Sequence, residues 1–113
     1  QIRGRDMIAG LPKTIKLDSD EVTQAMGDEL DGIIAAVKAV LEQTPPELSS
    51  DIIDRGMVMT GGGSLLRNID KLMTKVTGVP AYVADEPMLA VARGTGIALE
   101  NLDDYIRSVM SNR

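Results

Sequence analysis

The chain has 113 residues, so it holds one domain at most, with roughly two-thirds of its unfolded surface available for burial. It contains no Cys and no His, which removes disulfides, thiolate chemistry, the commonest general base and the commonest metal ligand. A net charge of −5 argues against nucleic acid and anionic membrane as main partners, and no apolar run is long enough to span a bilayer or serve as a signal peptide, so a cytoplasmic setting is expected.

Ile2 to Ala9 and Lys13 to Leu17 read as two strands joined at Gly10-Leu11-Pro12, the second alternating polar and apolar as a half-exposed strand should. The chain opens on Gln1 inside that first strand, which leads to the expectation of the C-terminal piece of something longer. Asp18 stands three residues before Glu21, a capping-box start. Val22, Met26, Leu30, Ile33, Ile34, Val37, Val40 and Leu41 then form one apolar stripe at helical spacing. Gly27 and Gly32 interrupt it, predicting two consecutive helices or one with a break. Pro45-Pro46 ends the segment, and Glu47 to Asp54 reads as a short helix.

Gly56 to Thr60 is the central strand. Ser64 to Val76 carries Leu65, Leu66, Ile69, Leu72, Met73 and Val76 as a buried helical face, with Gly78 as its C-cap and Pro80 just beyond. Ala81 to Ala84 is a short strand, and Asp85 or Glu86 caps a helix that opens near Pro87. A last helix runs from Asn101 to about Met110. Strands separated by helices indicate an α/β layer with a hairpin at the start. Tyr82 and Tyr105 are the only aromatic residues, so the core must be aliphatic.

Thr60-Gly61-Gly62-Gly63-Ser64 is the candidate binding loop. Glycine lets the main chain approach a ring or phosphate closely, and a helix start offers free N–H donors and partial positive charge. The alternative is a tight turn that needs positive φ. No Lys-Ser/Thr pair follows the glycines, so the loop is not a P-loop. Gly94-Thr95-Gly96 is not a dinucleotide fingerprint, because Leu99 takes the place of the third glycine and the motif lies in a helical pattern. Ala90, Gly94 and Ala98 suit close helix packing, with a hinge as the alternative reading. Arg67, Lys71 and Lys75 recur every four residues as a solvated basic face. No carboxylate pair, activated Ser or metal-ligand cluster completes a catalytic constellation, so no catalytic or metal residue is assigned and the chain alone is not expected to be an enzyme.

Together with Gly4-Arg5-Asp6, Gly10-Leu11-Pro12-Lys13-Thr14, Thr44-Pro45-Pro46-Glu47-Leu48, Asp54-Arg55-Gly56 and Gly94-Thr95-Gly96-Ile97-Ala98-Leu99-Glu100-Asn101, the glycine loop resembles the actin-like ATPases and, within them, the MreB family of bacterial cell-shape proteins. The resemblance covers essentially the whole chain; the glycine motif alone also fits Hsp70-like chaperones and sugar kinases. It implies part of the second lobe of an actin-like (ribonuclease H-like) α/β fold, with a mixed sheet and packed helices. Residues 1–17 would be the end of that lobe's upper subdomain and residues 18–113 its lower subdomain.

The resemblance further implies a filament-forming, ATP/ADP-binding cytoskeletal protein that organises cell-wall synthesis and rod shape. Thr60, Gly61, Gly62, Gly63, Ser64, Leu65 and Leu66 would line the adenosine, and Ala90, Gly94, Thr95 and Gly96 would mark an interdomain hinge. Mg²⁺, the phosphate hairpins and the membrane-touching segment would lie outside this chain. Implied partners are further copies in a filament and a RodZ-like membrane-bound protein, with peripheral membrane association, no nucleic acid, and a place at the inner face of the cell membrane. Two other readings stand beside it: a stand-alone interaction module whose glycine loop is only a turn, and the C-terminal lobe of a sugar kinase.

Overall fold

The computed structural model of the chain describes residues 1–110, in two compact units, Gln1–Ala39 and a second from Val40 onward. The first unit opens with β1 (Ile2–Arg5) and β2 (Pro12–Ile15), paired antiparallel with Ile2 opposite Ile15 and Arg5 opposite Pro12. Both strands are shorter than expected. Asp6 ends β1: its Oδ1 accepts the N–H groups of Ile8 at 2.9 Å and Ala9 at 3.0 Å, an Asx turn that reverses the chain. Asp6 also exchanges main-chain hydrogen bonds with the far side of the loop, to Leu11 O and from Gly10 N, both 2.9 Å. Pro12 fits at the first residue of its strand, where no ladder N–H is needed.

Asp18 caps α1 (Ser19–Ala25) with a reciprocal box: Glu21 N donates to its side chain at 2.8 Å, and Asp18 N donates to the Glu21 carboxylate at 3.2 Å. The chain breaks at Met26 and resumes as α2 (Gly27–Gln43), so of the two glycines only Gly27 marks a boundary. Gly32 sits inside a continuous helix. Along the apolar stripe Met26, Leu30, Ile34, Val37 and Leu41 are half-buried, while Val22, Ile33 and Val40 are exposed.

In the second unit α3 (Pro46–Arg55) starts with Pro46 at its first position and stops at Gly56, whose φ of 82° and ψ of −176° no other residue adopts easily. That stop turns the chain into β3 (Met57–Met59), which pairs parallel with β4 (Ala81–Val83), Met57 opposite Ala81 and Met59 opposite Val83. Between them lies α4 (Ile69–Thr77), ended by Gly78 in the left-handed conformation with its N–H on Thr74 O at 3.0 Å. Among the described residues the buried apolar ones are Ile69 and Met73 from α4 and Val79 beyond it.

Two helix starts differ from expectation. The segment from Ser64 is not the first turn of α4: Gly62–Leu65 is a single 3₁₀ turn, Leu66 is extended, Asn68 is left-handed, and only then does α4 begin. Leu65 and Leu66 therefore stand exposed instead of joining the helical face. Likewise α5 (Ala90–Glu100) begins after Leu89, not at Pro87, and neither Asp85 nor Glu86 caps it. The residue before a proline is biased away from helix, and Glu86 takes a positive φ of 45° instead. The final helix, α6 (Leu102–Met110), lies where the periodicity put it.

Candidate functional site

The site is built on the end of β3. After Met59 the chain leaves the strand at Thr60, which is exposed, and enters Gly61 at φ 79°, ψ 173°. This is a conformation confined to glycine, so Gly61 is explained by the turn itself. Gly62 and Gly63 are different. Neither has positive φ, and a Cβ placed on either would meet no heavy atom within 4 Å. Nothing local demands glycine at these two positions. Among the described residues their N–H groups also donate to no acceptor. A main chain bare of side chains, with two free donors, faces open space.

Ser64 stabilises this loop from behind. It is buried, and its hydroxyl donates to Gly61 O at 2.6 Å, beside the main-chain bond from Ser64 N to the same carbonyl at 3.3 Å. Its hydroxyl is thus spent on the turn. Leu66 N closes on Gly63 O at 3.2 Å, and Leu65 and Leu66 present exposed apolar surface next to the glycines. The donors on offer belong to a 3₁₀ turn, not to the α-helix expected from the sequence, so the loop offers fewer aligned dipoles than that reading implied. A flat, partly apolar group suits such a surface better than a phosphate.

The hinge candidates lie on α5. Ala90 and Gly96 are half-buried and Gly94 and Thr95 exposed, with the Thr95 hydroxyl donating back to Val91 O at 2.8 Å. A Cβ at Gly94 or Gly96 would meet nothing within 4 Å. Close packing of this small-residue face on a neighbouring helix is therefore not found among the described residues. Arg67, Lys71 and Lys75 are exposed, as a solvated basic face should be.

One connection was not anticipated. Gly61 N donates to Pro87 O at 2.8 Å, so the glycine loop is tied to the segment Asp85–Leu89 that leads into α5. The sequence signal for it was the Glu86-Pro87 pair, which marks a turn as readily as a helix start. Among the described residues no cluster of His, Cys, Asp and Glu could hold a metal, and no helix is long and apolar enough to cross a membrane.

A family model described as MreB/Mbl protein matches residues 1–107. The chain belongs to the MreB/Mbl family. It is 55% identical over 103 residues to the cell shape-determining protein Mbl of Bacillus cereus, covering 91% of this chain and 31% of that protein. It is 52% identical over 103 residues to the cell shape-determining protein MreB of Escherichia coli, covering 91% of this chain and 30% of the relative. The chain thus spans about a third of the length of the curated relatives it matches.

Its structure superposes on MreB5 of Spiroplasma citri bound to ADP with a TM-score of 0.86 at 37% identity, over 94% of this chain and 32% of that one. Against MreB5 bound to AMPPNP the TM-score is 0.85 at 36% identity, over 96% of this chain and 33% of the other. The architecture described above is accordingly part of the MreB actin-like fold.

Proposed function

We propose that this chain supplies the adenosine-facing wall of a nucleotide cleft in an MreB-type, filament-forming ATPase that organises cell-wall synthesis and rod shape. The observation that carries the reading is the pair Gly62 and Gly63, glycines that neither backbone conformation nor neighbouring atoms require. A requirement imposed from outside the chain, by a ligand lying against the loop, accounts for them. The solved MreB5 relatives were crystallised with ADP and with AMPPNP, which names the class of ligand.

In this reading Thr60 to Gly63 and the exposed faces of Leu65 and Leu66 meet the adenosine, and Ser64 holds the loop in shape. Residues 1–17 belong to the upper and residues 18–113 to the lower subdomain of the second lobe, with the hinge at Ala90 to Gly96. Phosphates, Mg²⁺ and the attacking water fall to other parts of the longer protein, as do membrane contacts at the inner face of the cell membrane. Filament contacts and docking of a RodZ-like partner use surfaces of this lobe.

Gly62 offers a clean test, because a Cβ added there has no heavy atom beyond its chain neighbours within 4 Å and needs no positive φ. In a full-length family member carrying this chain as its matching third, Gly62→Val should leave the melting temperature unchanged. ADP affinity, measured by calorimetry, should fall by about tenfold or more, the equivalent of at least ~1.4 kcal/mol. Unchanged ADP affinity would return the loop to a simple turn and favour an interaction module without nucleotide.

A further inference from the structure

We infer that the Glu86-Pro87 turn is a latch that positions the glycine loop for the nucleotide base, with Glu86 as the positioning residue. The inference rests on the adenosine reading of that loop and adds to it a second element that no binding motif marks.

Three hydrogen bonds and one ion pair define the latch. The Pro87 carbonyl accepts from Gly61 N at 2.8 Å, at the head of the glycine loop. On its other side the turn runs straight into α5: Leu89 N donates to Glu86 O at 2.9 Å, and Arg93 N donates to Leu89 O at 2.9 Å. The Glu86 carboxylate meets the Arg93 guanidinium at 2.6 Å, across the first turn of the helix. One short segment therefore joins the proposed base wall to the helix that carries the proposed hinge.

Glu86 holds a left-handed φ of 45°, which fixes where the chain carries Pro87 and, together with the ψ of Pro87 itself, where the Pro87 carbonyl stands relative to Gly61. A longer side chain in that region is uncommon and carries local strain. Proline fixes its own φ, so the freedom left to this turn lies in the torsions of Glu86 and in the ψ of Pro87, and a shift at Glu86 carries the carbonyl away from Gly61. The ion pair contributes less. Both side chains are more than half exposed, where such a pair is worth little.

When Glu86 leaves the left-handed region, Gly61 N loses its acceptor and the loop can leave the shape that faces the ligand. Nucleotide then binds only the fraction of molecules with the latch made, and apparent affinity drops by that fraction.

The test compares three variants in a full-length family member carrying this chain as its matching third. Glu86→Val places a β-branched residue where φ must be positive; Glu86→Gly accepts that φ but has no carboxylate; Arg93→Met removes the ion pair alone. ADP and inorganic tripolyphosphate are the probes, because only ADP reaches the base wall. Glu86→Val should weaken ADP about tenfold while leaving tripolyphosphate affinity within about twofold, a split that general destabilisation would not give. Glu86→Gly and Arg93→Met should both stay within about twofold of the parent for ADP.

Equal weakening of both probes by Glu86→Val, or no weakening of either, would overturn the latch. So would a loss in Glu86→Gly as large as that in Glu86→Val, since it would make the carboxylate the cause. Failure of the adenosine reading shows separately, as unchanged ADP affinity in Gly62→Val. In that case the latch has no ligand to serve and falls with it.

Discussion

Gly56 and Gly61 share an extended, positive-φ conformation that side chains avoid, yet they differ in what surrounds them. A Cβ on Gly61 would stand in open space, whereas one on Gly56 would lie 2.6 Å from Pro80 O and 3.2 Å from the Tyr82 ring. The crowding has a purpose: Met57 N donates to that same Pro80 carbonyl at 2.7 Å, the first bond between the strand leaving α3 and the one entering β4. Gly56 is thus the point where helix end and sheet start are pressed together. Gly56→Ala combines backbone strain of about 1–3 kcal/mol with a main-chain clash that no rotamer relieves. We expect it to lower stability by at least ~2 kcal/mol in a full-length family member, read from chemical denaturation. A loss below ~0.5 kcal/mol would mean that the strand pair shifts freely to admit the methyl group.

At the scale of elements, the hairpin and the glycine loop show how far local chemistry reads through. Asp18 and Glu21, Gly78 and Pro46 each act within a few residues, and the helix ends they mark lie where the sequence placed them. The misread stretches are those where a side chain or a distant carbonyl redirects the backbone. Asp6 captures two N–H groups and cuts β1 short; the glycine loop bonds to the distant Pro87 carbonyl, and α4 and α5 start only after the left-handed Asn68 and the positive-φ Glu86. The glycine motif itself was legible; its geometry was not, since 3₁₀ and α starts look alike in apolar spacing.

The hairpin offers its own pH test. Hydrogen bonds from Ala9 N and Ile8 N, then the Lys13 ammonium at 3.3 Å, hold the Asp6 carboxyl below its usual value of 3.8. A carboxylate with a depressed folded-state pKa stabilises fully above its unfolded value, and the contribution is lost as pH falls through the folded one. The turn should therefore be intact from neutral pH to about pH 4 and open only below it. Amide shifts of Ile8 and Ala9 should report a midpoint under 3.8, and Asp6→Asn should remove the transition. A midpoint at or above 3.8 would show that the carboxylate is not what holds the loop.

For the whole molecule the question is what holds it folded. Among the described residues Ile69, Met73 and Val79 are the buried apolar ones, and no described side chain is wholly removed from solvent. Fully burying three such side chains yields about 5–9 kcal/mol. Ordering the backbone costs about 1–2 kcal/mol for every residue, so contacts of this kind must be many times more numerous in a stable domain. Meanwhile Met7, Ile8, Met88, Val91, Leu99 and Met110 stand at 65–100% exposure. Val91 and Leu99 of α5 and Met110 of α6 thus present apolar faces that the described residues leave uncovered. The isolated 113 residues should accordingly bind the dye ANS strongly and unfold over a broad range of denaturant. The same sequence within a full-length family member should show neither behaviour. A sharp two-state transition without dye binding in the isolated chain would show that the small aliphatic core suffices. It would also favour the stand-alone module, because a domain that folds by itself can be used by itself.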